Sequence, residues 1–189
     1  MLLFLVQTGS AALCVWRAPD ADIAAVFGSG TYKTVFEDVN KDRQARIEKR
    51  LGTALDPDET QFKFFPVFQN KKRVGTVMTH AGKGQFGAIE VVVAVIEDDS
   101  GAKVKAVRVQ RDREKAKAAL RSAAFLGQFK GMRANDEFRI SNDVGSLKSA
   151  AKGAEKASQA VASAVRKLLV VYDEYYGNAA GSGEQKAEK

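Results

Sequence analysis

The chain has 189 residues, 45% of them hydrophobic and 28% charged, which is the composition of one domain with a proper core. Its single cysteine, Cys14, excludes an internal disulfide and a cysteine-rich metal or iron–sulfur site. Its single histidine, His80, excludes a histidine-cluster metal site and leaves little material for relay catalysis. We therefore expect no metal site, and neither a zinc enzyme nor a nucleophilic hydrolase.

The net charge of +7 is concentrated in the second half of the chain. Residues 1–100 contain 12 basic and 13 acidic residues, whereas residues 101–189 contain 18 basic and 10 acidic residues. A basic half can bind nucleic acid, an anionic membrane surface or an acidic protein. Because the basic residues are mixed with acidic ones and lack interleaved exposed aromatics, we expect no nucleic-acid binding.

Residues 1–19 leave several interpretations open. Two apolar stretches, 1–6 and 11–16, are separated by polar and small residues. A short secretory signal or membrane anchor is one interpretation, although no basic residue precedes the apolar run and it falls short of the ~20 residues of a spanning helix. The other interpretations of this segment are a truncated signal sequence and a first strand.

The body of the chain begins with two predicted helices. Asp20–Phe27 has a short helical pattern that ends in a glycine-rich turn. Asn40 is a suitable N-cap for a surface helix over Lys41–Leu51, and Gly52 is a suitable C′ residue.

The middle of the chain is predicted to form a sheet. Pro66 indicates an edge position or a bulge in its strand. Residues 89–96 are nearly all β-branched, which predicts a central strand buried on both faces. Residues 82–87 are predicted to be a flexible connection. The four strands are predicted over 62–68, 73–79, 89–96 and 104–109, the last two as a hairpin.

Two helices are predicted to complete the domain. Asp112 is expected to cap a helix that runs through Leu126, and a long amphipathic helix is expected from near Ala151 to about Tyr176. Residues 177–189 are predicted to be a disordered tail. This order predicts an α+β fold in which residues 20–176 form a single domain, with a small antiparallel sheet of three or four strands packed by helices. The apolar stripe of the last helix is predicted to be Ala154, Ala157, Val161, Val165, Leu168 and Tyr172.

The start of the last helix is the main candidate site. Lys152-Gly153-Ala154 is a turn of small residues, where a protein can bring backbone N–H groups against a phosphate. Three further stretches precede it in a fixed order: 82–87 leading into 89–95, then 111–114, then 125–131. This set, spread over about 21–169, resembles the FMN-binding domain family, typified by the flavin-carrying subunits of bacterial ion-pumping oxidoreductases.

The sequence departs from that family at the attachment residues. The family motif reads Ser-Gly-Ala-Thr-x-Ser-Ser, and its threonine takes the flavin through a phosphoester bond. Here Lys152 stands at the first serine and Glu155 at the threonine, and a carboxylate cannot form that bond. Glu155 also brings negative charge near the expected phosphate, which Lys152 and Lys156 would partly offset. Covalent flavin is therefore expected to be absent, and FMN held non-covalently or an empty pocket both stay open.

The resemblance implies a set of candidate cofactor-binding residues, each of which has a structural alternative. Glu155 is also a favourable partner of the helix dipole, and Ser158 could bond back to its own helix. Gln128 and Gly131 could approach a flavin ring. Gly131 could instead end a helix. His80 is interpreted as a surface residue. The candidates are Lys152, Gly153, Ala154, Glu155, Ser158, Gln128 and Gly131.

The resemblance also implies a non-enzymatic protein that works inside or beside a membrane-associated electron-transfer complex, in the periplasm or another extracytoplasmic place. Its partner would be a redox protein or a cytochrome-containing membrane complex, and flavin, where present, would carry single electrons. A flavin-free structural or docking subunit is the rival interpretation. A flavin reductase is disfavoured because no Gly-x-Gly-x-x-Gly stands between a strand and a helix.

Overall fold

A computed structural model describes residues 18–177. The predicted signal or anchor segment therefore lies outside the described residues except for Ala18 and Pro19, as does the predicted tail beyond Gly177. The described residues form one α+β domain of five α-helices and six strands, which confirms the predicted fold class. The helices are α1 (Asp20–Phe27), α2 (Lys41–Leu51), α3 (Lys117–Leu120), α4 (Ala123–Leu126) and α5 (Glu155–Tyr176). The strands are β1 (Thr31–Tyr32), β2 (Val35–Asp38), β3 (Gln61–Gln69), β4 (Lys72–Lys83), β5 (Ala88–Asp98) and β6 (Gly101–Arg111).

The six strands form one antiparallel sheet, which is larger than the predicted three or four strands. Its order is β1-β3-β4-β5-β6, and β2 pairs with β3 alongside β1. Pro66 lies between the stretches of β3 that face β1 and β2, and the register with β4 shifts between Val67 and Phe68. An irregularity therefore follows the proline, as predicted, whereas the edge position is wrong because β3 has neighbours on both sides.

The β5 strand is buried on both faces, as its β-branched sequence predicts. Residues 89–95 are all buried, and β5 pairs with β4 on one side and β6 on the other. One face contributes Val91 and Val93 to the main core beneath α5, and the other contributes Val92 to a smaller cluster that includes Ile23 of α1. The sheet is therefore the central layer of the domain.

The α5 helix supplies most of the main core. All six residues of its predicted apolar stripe are buried, and Asn40 caps α2 as predicted, its side-chain oxygen accepting from the backbone N–H of Arg43 at 2.8 Å. The helix begins at Glu155, later than the predicted start near Ala151. This correction has a local cause, because Gly153 has φ +81°, a left-handed conformation that interrupts the helix.

The β4 strand is longer than predicted and continues through Gly82 and Lys83, which the sequence pattern assigns to a flexible connection. A Cβ atom at Gly82 would lie 2.9 Å from the carbonyl oxygen of Ala160. Glycine therefore allows β4 to pass directly against the backbone of α5. This close approach forms one wall of the cleft described below.

The predicted helix from Asp112 to Leu126 is wrong. The chain instead forms α3, α4 and a 3₁₀ turn over Gly127–Phe129. Asp112 forms an ion pair with Arg121 at 2.5 Å, and its side chain is fully buried. Glu114 is also buried, and its carboxylate accepts from the backbone N–H of Phe86 at 2.9 Å. Asp112 therefore forms a buried ion pair instead of capping a long helix, and Glu114 holds the loop at Phe86.

Replacement of Leu168 by alanine tests the dependence of the domain on α5. Leu168 is fully buried between α5 and the sheet, so Leu168→Ala should lower the free energy of unfolding by about 2–5 kcal/mol. Urea denaturation measures this change, with Lys49→Ala on the exposed side of α2 as the control, expected within about 0.5 kcal/mol of wild type. Equal midpoints for the two variants would contradict this account of the core.

Candidate functional site

The start of α5 is a turn closed by its own acidic side chain. The backbone N–H of Ala154 donates to the carbonyl of Ala151 at 3.1 Å, and Gly153 takes the left-handed conformation. The Glu155 carboxylate then turns back and accepts from the backbone N–H of Gly153 at 3.0 Å. Lys152 and Glu155 are both exposed, whereas Ala154 is buried. The turn thus presents a carboxylate where the family motif carries its threonine.

Local hydrogen bonds stabilise the charged form of Glu155. Its pKa is lowered chiefly by its own backbone N–H, and further by the N–H of Gly153 and by the nearby charge of Lys152. The carboxylate is therefore ionised and complements the positive end of the helix dipole. The helix-dipole interpretation of Glu155 agrees with this geometry.

Ser158 links the helix to the preceding loop. Its side chain is fully buried, and its hydroxyl oxygen accepts from the backbone N–H of Ala150 at 3.0 Å. It also lies 3.2 Å from the hydroxyl of Ser149, which donates to the carbonyl of Ala151 at 2.7 Å. The expectation that Ser158 bonds back to its own helix is wrong, because the loop passes close enough to use the hydroxyl.

Gln128 binds the same loop from the other end. Its amide nitrogen donates to the carbonyl of Lys148 at 3.2 Å, and its amide oxygen accepts from the N–H of Lys148 at 2.7 Å. The structure therefore connects Gln128 and Ser158 through residues 148–150. Gly131 belongs to a different region, where its N–H donates to the carbonyl of Val104 in β6 at 2.8 Å.

The turn that precedes α5 is poorly suited to a phosphate group. A phosphate needs donors that are not already satisfied, but the N–H groups of Gly153 and Glu155 are hydrogen-bonded to the Glu155 carboxylate. The side chains of Gln128 and Ser158 are bound to backbone groups of the chain itself. An incoming phosphate would also meet the negative charge of Glu155.

A cleft beside the helix start is better suited to a cofactor. Two adjoining hollows of about 540 and 530 Å³ follow the outer face of α5 and share Gln159, Ser163 and Lys167. These volumes lie in the range of small-molecule sites. Lys156 of α5 and Lys83 of β4 line the second hollow, and both are exposed. The cleft therefore has the size of a small-molecule site, and two exposed lysines line it.

The sequence pattern gave no indication that His80 is enclosed. Its side chain is 16% exposed, and its Nδ1 lies 3.5 Å from the Glu59 carboxylate. The ammonium of Lys167 donates to both oxygens of Glu59 at 2.8 Å. Burial, followed by the charge of Lys167, lowers the pKa of His80 to about 4. His80 is therefore half-buried and not the open surface residue that was expected, because Glu59 lies against its ring.

The cleft residues were hard to find from sequence. Two signals were usable: Lys156 stands in the motif at the helix start, and Lys83 lies in the glycine-rich stretch 82–87, one of the four stretches behind the family resemblance. Gln159 gave no signal because a glutamine in a helix is ordinary; in the structure it accepts from the N–H of Ile140 at 2.8 Å and donates to the carbonyl of Phe138 at 2.9 Å.

The fold resembles a solved structure. The fold is similar to the "Crystal structure of Shewanella oneidensis NqrC", with a TM-score of 0.56 and 18% sequence identity over 86% of this chain and 88% of that chain. No protein-family model and no curated protein matches the chain. At this identity the likeness shows that the two chains share a fold, and it bears on the fold alone.

Two further features are absent from residues 18–177: a membrane-spanning helix and a cluster of metal-ligand side chains. None of the helices within residues 18–177 combines the length and apolar character needed to cross a membrane. Within the same residues, no group of three or more His, Cys, Asp and Glu side chains is arranged to hold a metal ion.

Acidification tests the enclosed position of His80. Since its folded pKa of about 4 lies below the ordinary 6.5, the unfolded chain binds more protons between these values, and stability should fall as the pH is lowered from about 6.5 to about 4. The loss attributable to His80 is at most about 3 kcal/mol. Chemical denaturation across this range should show a shallower pH dependence for His80→Gln. Parallel pH dependences for the two proteins would contradict the assignment.

Proposed function

We propose that this chain is a non-enzymatic, FMN-binding-domain-like protein that works with a membrane electron-transfer complex and carries no covalently attached flavin. The observation behind the last point is the Glu155 carboxylate, which stands at the acceptor position of the family motif and is hydrogen-bonded to the N–H of Gly153. A carboxylate offers no hydroxyl for the phosphoester, and in this geometry it occupies the N–H groups of Gly153 and Glu155.

Any flavin is proposed to be non-covalent FMN in the cleft along α5. Lys83 and Lys156 would hold its phosphate, and the cleft volume of about 530 Å³ accommodates a molecule of that size. When bound, the flavin would supply the electron transfer, whereas the protein would supply binding, position and charge. Lys167 would be less available to a ligand, because Glu59 occupies its ammonium.

A flavin-free structural or docking subunit of such a complex is the second candidate. A specific observation favours it: the polar groups of Gln128, Ser158 and Glu155 at the helix start are all engaged within the chain. A scaffold kept for docking would retain the fold after the attachment residues had changed.

The proposed surroundings follow the family resemblance. The partner would be a redox protein or a cytochrome-containing membrane complex in the periplasm or another extracytoplasmic place. The basic second half of the chain suits an acidic partner or an anionic membrane surface.

The visible spectrum of the protein purified from its native source tests the flavin proposal. Before acid precipitation we expect a yellow protein, and afterwards we expect the colour in the supernatant, because no covalent bond retains FMN. Colour that stays in the pellet would contradict the interpretation of Glu155. A colourless protein that purifies with a redox complex would support the flavin-free candidate.

Restoring the attachment residues tests whether the site itself survives. Lys152→Ser combined with Glu155→Thr, co-expressed with a flavin transferase, should gain covalent flavin, approaching one per chain, because the change supplies a hydroxyl and removes the carboxylate. Lys152→Ser with Glu155→Ala is the matched control and should remain free of covalent flavin. Mass spectrometry and in-gel flavin fluorescence measure both. A folded Ser/Thr variant without flavin would show that the site no longer accepts it.

A further inference from the structure

The β6 strand has one edge without a neighbouring strand in the described part of the chain. It is the last strand in the sheet order and pairs with β5 alone. Its outer edge is occupied at two places: Val104 exchanges backbone hydrogen bonds with Gly131 and Met132, and the carbonyl of Val109 accepts from Arg121 at 3.2 Å. Between these points, over residues 105–108, no hydrogen bond from another described part of the chain reaches the backbone outside the sheet.

A groove follows this open stretch, between β6 and the segment of α4 and the 3₁₀ turn; we call it the β6 groove. Its volume is about 390 Å³, and apolar residues such as Val107 and Leu126 line part of it. An apolar floor beside an open strand edge is suited to an extended peptide, whose backbone pairs with the edge and whose alternate side chains enter the groove.

The charged residues that line the β6 groove are all basic. Two of them form ion pairs with buried aspartates: Arg108 lies 2.6 Å from Asp22, and Arg121 lies 2.5 Å from Asp112. Their side chains remain 47% and 37% exposed, but each is balanced by its aspartate, so the positive charge without an ion-pair partner among residues 18–177 comes from the other two basic lining residues. The four basic lining residues are Lys105, Arg108, Arg121 and Lys130.

We propose that the β6 groove binds an extended acidic segment of a partner protein, which adds to the sheet next to β6. Charge complementarity selects an acidic occupant, and the strand edge selects an extended one. A second copy of β6 is disfavoured as the occupant, because its Lys105 and Arg108 would lie against the Lys105 and Arg108 of the first copy. This inference goes beyond the proposed function and is independent of whether a flavin is bound.

Binding of a fluorescein-labelled peptide in which valine alternates with glutamate tests this proposal on the full chain. Fluorescence anisotropy should show saturable binding that weakens as salt is raised. The variant Lys105→Glu with Lys130→Glu should weaken binding by about tenfold or more. The matched control, Lys33→Glu with Lys49→Glu, changes the net charge equally at exposed positions outside the groove and should bind like wild type.

The same assay separates strand addition from simple charge attraction. A peptide with alternate N-methylated amides keeps its charge but cannot pair with the edge, so it should bind about tenfold more weakly. Amide NMR shifts should be largest over residues 105–109. Equal binding by the N-methylated peptide, equal loss in the two charge variants, or no binding would overturn the proposal. Tight, groove-dependent binding of duplex DNA or anionic phosphatidylglycerol vesicles without peptide binding would overturn it as well.

Discussion

The packing of α5 against the sheet determines where every candidate group of this domain lies. Half of its 22 residues are buried, including Val161, Val165 and Leu168, so a shift of the helix by a single residue would turn its apolar stripe away from the core. Gly82 brings β4 within contact distance of the α5 backbone at Ala160, which further restricts sliding. The position of Glu155 is therefore fixed by the core and not by the site. A change of residue type at that position alters the chemistry of the helix start without moving it.

This fixed position makes the carboxylate of Glu155 an internal competitor for an external anion. It is tethered beside the N–H of Gly153, so its effective concentration there exceeds that of a free ligand. A phosphate would have to displace it and then remain near its negative charge. Two lysines of the neighbouring cleft meet no such competitor, because Lys83 and Lys156, unlike Lys167, have no ion-pair partner among residues 18–177. An anion bound by these two lysines would therefore not have to displace Glu155.

The sequence was sufficient where one local pattern determined the structure, and insufficient where distant contacts did. The stripe of α5, the cap at Asn40 and the doubly buried β5 were correct because each follows from periodicity or from one side chain. The helix predicted from Asp112 failed because a buried ion pair with Arg121 overrode its local preference. The short β1 and β2 strands have too little pattern to detect. At the candidate site, the sequence identified the change at Glu155, but it could not show that the carboxylate folds back onto the turn or that a cleft opens beside it.

The structure also shows how much of the positive charge in the second half of the chain is available to a partner. Several of its cations are committed to structural bonds: Arg133 binds Asp98 through two contacts of 2.8 Å, and Arg166 donates to the carbonyls at the end of α2. Lys167 is neutralised by Glu59. Net charge therefore overstates the charge available to a partner, and what matters is where cations remain exposed beside unsatisfied backbone. The β6 groove meets both conditions at Lys130, which is exposed. It meets them in part at Lys105, which is half-buried with its ammonium 5.4 Å from the centre of the Phe27 ring. A partner drawn by long-range charge would be positioned by that edge, because backbone pairing fixes register where charge alone does not.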